Sequence, residues 1–74
     1  MRDEEKLFAS EFDDWTAANM EVALERVCQR LPEGRRDHET RRFIAERIID
    51  AARKGHATLS ELTAAGVQGL NQLP

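Results

Sequence analysis

Apolar residues recur along this chain in four runs, each with the three-and-four spacing of a helix. None shows the sustained alternation of a half-buried strand. In the first run Leu7, Phe8, Phe12 and Trp15 return at helical intervals, and Phe8, Phe12 and Trp15 form one stripe at i, i+4 and i+7. Asp3, Glu4 and Glu5 open it and suit the positive end of a helix dipole. The spacing predicts a helix over about 3–13. In the second run Met20, Leu24, Val27 and Leu31 make a stripe bordered by Ala17 and Cys28, with Glu25, Arg26 and Gln29 opposite. It predicts a helix over about 17–31, capped by Asp14 or Thr16.

The third run predicts a helix over about 38–54. Ile44, Ala45, Ile48, Ile49, Ala51 and Ala52 form a broad apolar arc facing Glu46, Arg47, Asp50, Arg53 and Lys54. Arg42 with Glu46, and Asp50 with Lys54, are i,i+4 pairs of opposite sign. Phe43 projects onto the charged side, which suggests packing under the N-terminal segment. Arg41 projects onto the apolar arc, so it must reach solvent or find an acid. Gly55 suits the left-handed position that ends a helix. The fourth run, about 59–72, opens on Thr58-Leu59-Ser60-Glu61, the pattern of a capping box. Leu59, Leu62, Gly66, Leu70 and Leu73 then share a face. Gly66 on that face permits close helix approach, while fraying after Gly66 is the alternative.

The first two stripes do not line up. Continued as one helix at about 100° per residue, the aromatic stripe stands roughly 140° from the Met20 stripe, with Val22 on the aromatic side. Either the helix breaks near residues 13–16 and both stripes face one core, or it runs on with two apolar faces, one of which wants a partner. Asp13 and Asp14 are poor mid-helix residues and good caps, which favours the break.

The expected fold is therefore all-α, a single small domain over 1–74 built as a bundle of three to four short amphipathic helices. Residues 1–16 form an acidic, aromatic arm as an appended helix. The expected core is Met20, Leu24, Val27, Leu31, Ile44, Ile48, Ile49, Leu59, Leu62 and Leu70. Such a core is thin, and chains of this size gain stability from staples or self-association. Cys28 is the lone cysteine, which excludes a disulfide within the chain and points to a reducing, cytoplasmic setting. No apolar run approaches the roughly 18 residues of a membrane span. The opening "MRDEEK" is acidic with no apolar stretch behind it, so no secretory signal is expected.

Net charge is −3, unevenly spread. Residues 1–25 carry two basic and eight acidic side chains, residues 26–74 nine basic and six acidic. This division suggests an acidic arm that meets a basic body, in the same chain or in a partner.

Candidate chemistry is sparse. "DHE" at 37–39 sets three ligand types side by side, but helix neighbours diverge by about 100° and cannot close on one ion. His56 follows Gly55 and belongs to a turn. Cys28 lies among apolar residues and Ser60 in a cap region, neither beside an activating group. No phosphate-binding glycine motif is present. "TLSELTAAGVQGL" has the outline of a helix-turn-helix, but Leu62 stands where that motif keeps a small residue. Residues 68–74 also hold no Arg or Lys to meet phosphate. Neither an enzyme, a cofactor, a metal nor a small-molecule substrate is expected. Two surfaces remain. Arg26, Arg30, Arg35, Arg36, Arg41 and Arg42 form a candidate basic patch, diluted by Glu33, Asp37 and Glu39. Phe8, Phe12, Trp15 and Phe43 form a candidate interface.

"ALERVCQRLPEG" (23–34), "DHETRRFIAERIIDAARKG" (37–55) and "TLSELTAAG" (58–66) together resemble a group of short bacterial helical proteins of uncharacterised function. The resemblance covers about residues 20–73, implies the same helix–joint–helix order, and makes residues 1–19 an extension. The expected function is a small non-enzymatic interaction or regulatory module that self-associates or docks a protein. The alternative is a nucleic-acid accessory using the arginines around residues 26–42.

Overall fold

The computed structural model describes residues 8–72, which are all-α with no strand among them. The predicted beginning of the first helix, including Leu7, and the stripe residue Leu73 lie outside the described residues. Residues 8–11 are helical and are named α1. Three longer helices follow: α2 over Asp14–Cys28, α3 over His38–Arg53 and α4 over Leu59–Asn71.

The break between the first two runs falls at Phe12 and Asp13. Asp13 has extended backbone (φ −67°, ψ 166°), and its carboxylate accepts a hydrogen bond from the Thr16 amide at 3.0 Å. That cap starts α2 three residues before the predicted position, because Asp13 takes the role expected of Asp14 or Thr16. The unbroken helix with two apolar faces is thereby excluded. The turn lets Phe8 reach the core, where it is fully buried, and leaves Phe12 packed on the core's edge.

α2 ends at Cys28, earlier than its apolar stripe. The Arg30 and Leu31 amides bond the carbonyls of Val27 and Cys28, tightening the chain into turns that still bury Leu31. Pro32 then begins a short 3₁₀ turn over Glu33–Arg35. Asp37 caps α3 by accepting from the Thr40 amide at 2.7 Å. At the far end Gly55 takes φ +94°, the Gly55 amide bonds Ala52 O, and the His56 amide bonds Ala51 O. This paired pattern is a Schellman stop, and it requires the left-handed backbone that glycine adopts without a Cβ penalty. The capping box at Thr58 forms as the sequence predicts.

α4 does not fray at Gly66; it continues to Asn71. A β-carbon on Gly66 would stand 2.7 Å from Val27 Cγ2 and 3.3 Å from Ile48 Cδ1, so the α4 backbone rests against both other helices. Gly69 does the same against the Arg47 stem, 2.6 Å from its Cγ. The result is an up–down–up three-helix bundle. α1 closes the end where α2 begins and α3 finishes. There Arg53 grips Glu11 with two hydrogen bonds of 2.5 and 2.7 Å, and the Asn19 amide group donates to Ala57 O at 3.1 Å.

The core matches expectation at Met20, Leu24, Val27, Leu31, Ile44, Ile48, Ile49 and Leu62, and adds Phe8 and the alanines 17, 23, 45 and 52. Leu59 and Leu70 are half-buried against it. Phe8 ties residues 8–12 into the core of the bundle.

Candidate functional site

The four aromatic residues read as one candidate interface occupy four different environments. Phe8 is fully buried within its own chain and presents no surface. Phe12 is half-buried on the core's edge. Phe43 is half-buried with the Arg47 guanidinium over its ring, 5.4 Å from the centroid, a cation–π arrangement. The Arg47 stem meanwhile packs on Gly69, so Phe43 lies toward the end where α3 begins and α4 finishes, away from residues 8–12, whose Glu11 meets Arg53 at the other end. Trp15 lies in the first turn of α2, at the opposite end, and is 59% exposed. The stripe Phe8–Phe12–Trp15 is cut by the break at Asp13: its first half turns inward and its last member faces out.

Trp15 is not isolated. Helical spacing puts Ala18 and Val22 beside it on the side of α2 directly opposite Met20, Ala23, Leu24 and Val27. Ala18 is exposed, and Val22 is 42% exposed; Trp15 and Val22 are the large apolar side chains left open among the described residues. Asp14 stands at the start of this face and Arg26 at its end, both exposed. The sequence signal was the fall of Val22 on the aromatic side of the wheel. The fault lay in keeping Phe8 and Phe12 with Trp15 across two aspartates that cap a helix.

The six arginines of the candidate basic patch also separate. Arg36 folds back on the end of α2, its Nε donating to Leu31 O at 2.9 Å and a terminal nitrogen to Gln29 O at 3.3 Å. It thus satisfies carbonyls that the helix end leaves open. Arg41 finds the acid its position demands: a terminal nitrogen meets Glu25 Oε1 at 2.6 Å, with the Arg41 side chain only 18% exposed. Glu25, read as part of a solvated face, is instead half-buried in this pair between α2 and α3. Arg42 lies 4.0 Å from Glu46 on an exposed turn of α3. Arg26 on α2 and Arg30 in the turn after it are exposed, and Arg35 is half-buried in the 3₁₀ turn. Two of the six are therefore committed to holding the α2–α3 joint together.

Among the described residues of the acidic arm, Glu11 meets the basic body within the chain, at Arg53. Their hydrogen bonds hold the Glu11 carboxyl below its usual range and raise Arg53. Capping hydrogen bonds from Thr16 and Thr40 likewise lower Asp13 and Asp37, and bonds from His56 and Thr58 lower Glu61.

The described residues line a groove and a smaller hollow. The groove, of about 460 Å³ between α3 and α4, is lined by Arg47, Asp50, Lys54, His56, Glu61 and Gln68 among others. Its polar groups answer one another, Lys54 with Asp50 at 3.1 Å and the His56 ring with Glu61 at 2.9 Å. The hollow, of about 180 Å³ at the joint, is lined by Glu25, Cys28, Gln29, Leu31, Arg36 and Arg41. Cys28 is half-buried there. His38 is exposed beside the Asp37 cap, and His56 sits in the turn after Gly55. Among the described residues no group of three or more His, Cys, Asp or Glu lies close enough to hold a metal ion, and no helix is long and apolar enough to cross a membrane. Comparison with protein-family models, curated proteins and solved structures finds no match.

Proposed function

We propose that this chain is a small, non-enzymatic interaction module that docks a protein through the outer face of α2. The observation that carries this reading is Trp15. A tryptophan more than half exposed, in line with Ala18 and Val22 on the side of the helix away from the core, is an anchor of the kind that dominates helix-mediated recognition. Several polar groups elsewhere have structural tasks: Asp13, Asp37, Thr58 and Glu61 cap helices, Arg36 closes one, and Glu11–Arg53 and Glu25–Arg41 tie helices together. That pattern supports a scaffold presenting one surface. The nucleic-acid reading is weaker for the same reason, since Arg36 and Arg41 are bonded within the chain, and the chain carries net charge −3.

A photo-reactive phenylalanine analogue placed at position 15 or 22 tests the reading in cells. Crosslinked protein adducts are expected from both positions and not from position 46, on the exposed side of α3. No adduct from 15 or 22, or equal yield from 46, would refute it.

A further inference from the structure

Resting on that reading, we infer that the occupant of the α2 face is a second copy of this chain, packed antiparallel, α2 against α2, about a two-fold axis. The face is self-complementary in that direction alone. Its N-terminal end carries the acid Asp14 and its C-terminal end the base Arg26, both exposed, while Glu25 beside Arg26 is held by Arg41 of its own chain. Antiparallel packing sets acid against base at both ends, whereas parallel packing sets like against like. The helix dipoles also oppose favourably.

The register follows from the spacing. Centring the axis beside residue 20, at about 1.5 Å rise per residue, sets Ala18 opposite Val22 of the other copy, small against large. The same register brings Arg26 beside Trp15 of the other copy. The two residues lie on the same flank of the helix, so the guanidinium meets the indole face, with Asp14 next to it in sequence as a carboxylate within reach. Each contact occurs twice, as two-fold symmetry requires. None of Asp14, Trp15, Ala18, Val22 and Arg26 is buried in the single chain, so all are available. The face is short, Asp14–Cys28 being fifteen residues, so the dimer belongs with small, weak interfaces.

The experiment is sedimentation equilibrium of the full chain over about 10 µM to 1 mM, the range of weak association. Wild type is expected to rise from the monomer mass of 8.4 kDa toward twice that value. As the chain's lone tryptophan, Trp15 should show emission moving to the blue over the same range. Arg26→Glu and Asp14→Lys, each checked for fold by far-UV circular dichroism, should each weaken association by about tenfold or more. An equimolar mixture of the two variants should recover it, because the heterodimer alone restores opposite charges at both ends. A monomeric wild type, variants that associate like wild type, or a mixture that fails to recover would each overturn the antiparallel dimer. If wild type stays monomeric while position 15 crosslinks a different protein, the second copy is wrong and the interaction module stands. Failure of both experiments removes both.

Discussion

Replacing Gly66 by alanine sets two effects of similar size against each other, and the geometry decides the sign. On propensity alone the change favours a mid-helix position by about 1 kcal/mol. In the bundle, the new methyl would stand 2.7 Å from Val27 Cγ2 and 3.3 Å from Ile48 Cδ1. The first distance is far inside the about 3.5–4.0 Å of ordinary carbon contact. Neither neighbour can yield cheaply. Val27 and Ile48 are fully buried, and β-branched side chains in helices are confined at χ1. Relief requires α4 to lift away or Val27 to leave its rotamer, an overpacking cost of about 1–3 kcal/mol. The net expectation is a loss of about 1 kcal/mol, seen as a drop in Tm of about 4–8 °C for a domain of this size. Thermal and urea unfolding followed by far-UV circular dichroism measure it, with Gly34→Ala as control, because nothing lies within 4 Å of a β-carbon there. In the double variant with Val27→Ala, the loss should be less than the sum of the single losses, as expected of residues in contact. A Gly66→Ala protein as stable as wild type, or more so, would refute the seating of α4 on Val27.

Phe8→Ala empties a fully buried site and should cost about 3–5 kcal/mol, a large share of the about 5–15 kcal/mol that holds a small domain together. The urea midpoint should fall sharply, and an unchanged midpoint would place Phe8 outside the core; this variant therefore reports on folding, not association. Acid sensitivity follows from the carboxylates lowered in the fold, Glu11, Asp13, Asp37 and Glu61. The unfolded chain binds their protons more readily, so their contribution is complete above the ordinary carboxylate range of about 4. It is lost as pH falls through the lowered folded values. Asp13→Asn with Asp37→Asn keeps two good caps that do not titrate, and should flatten the loss of stability below that range while leaving neutral stability near wild type; identical acid transitions would contradict the assignment.

The helices and their punctuation were legible in the sequence because each rests on local rules. Thr58 with Glu61, Asp37 before His38, and Gly55 after Lys54 specify caps through hydrogen bonds that span three to five residues. The 3.6-residue period likewise marked most of the core. Leu31 shows the limit of that reading: its burial was predictable from the stripe, while its place outside α2 depends on where the turn tightens before Pro32. The surfaces were less legible, because a side chain's freedom depends on partners distant in sequence. Arg41 had to find an acid, but nothing local identified Glu25, sixteen residues earlier. Arg53 and Glu11 are farther apart still. Trp15 makes the same point in reverse. Its stripe with Phe8 and Phe12 assumed a continuous helix, yet two aspartates beside it turned the chain, burying the first aromatic and exposing the last. Whether an aromatic residue in such a small bundle serves the core or a partner is thus decided by the cap between them. Removing that cap should erase the difference: a helix continued through Asp13 would carry Phe8 and Phe12 out along the face that Trp15 and Val22 now occupy.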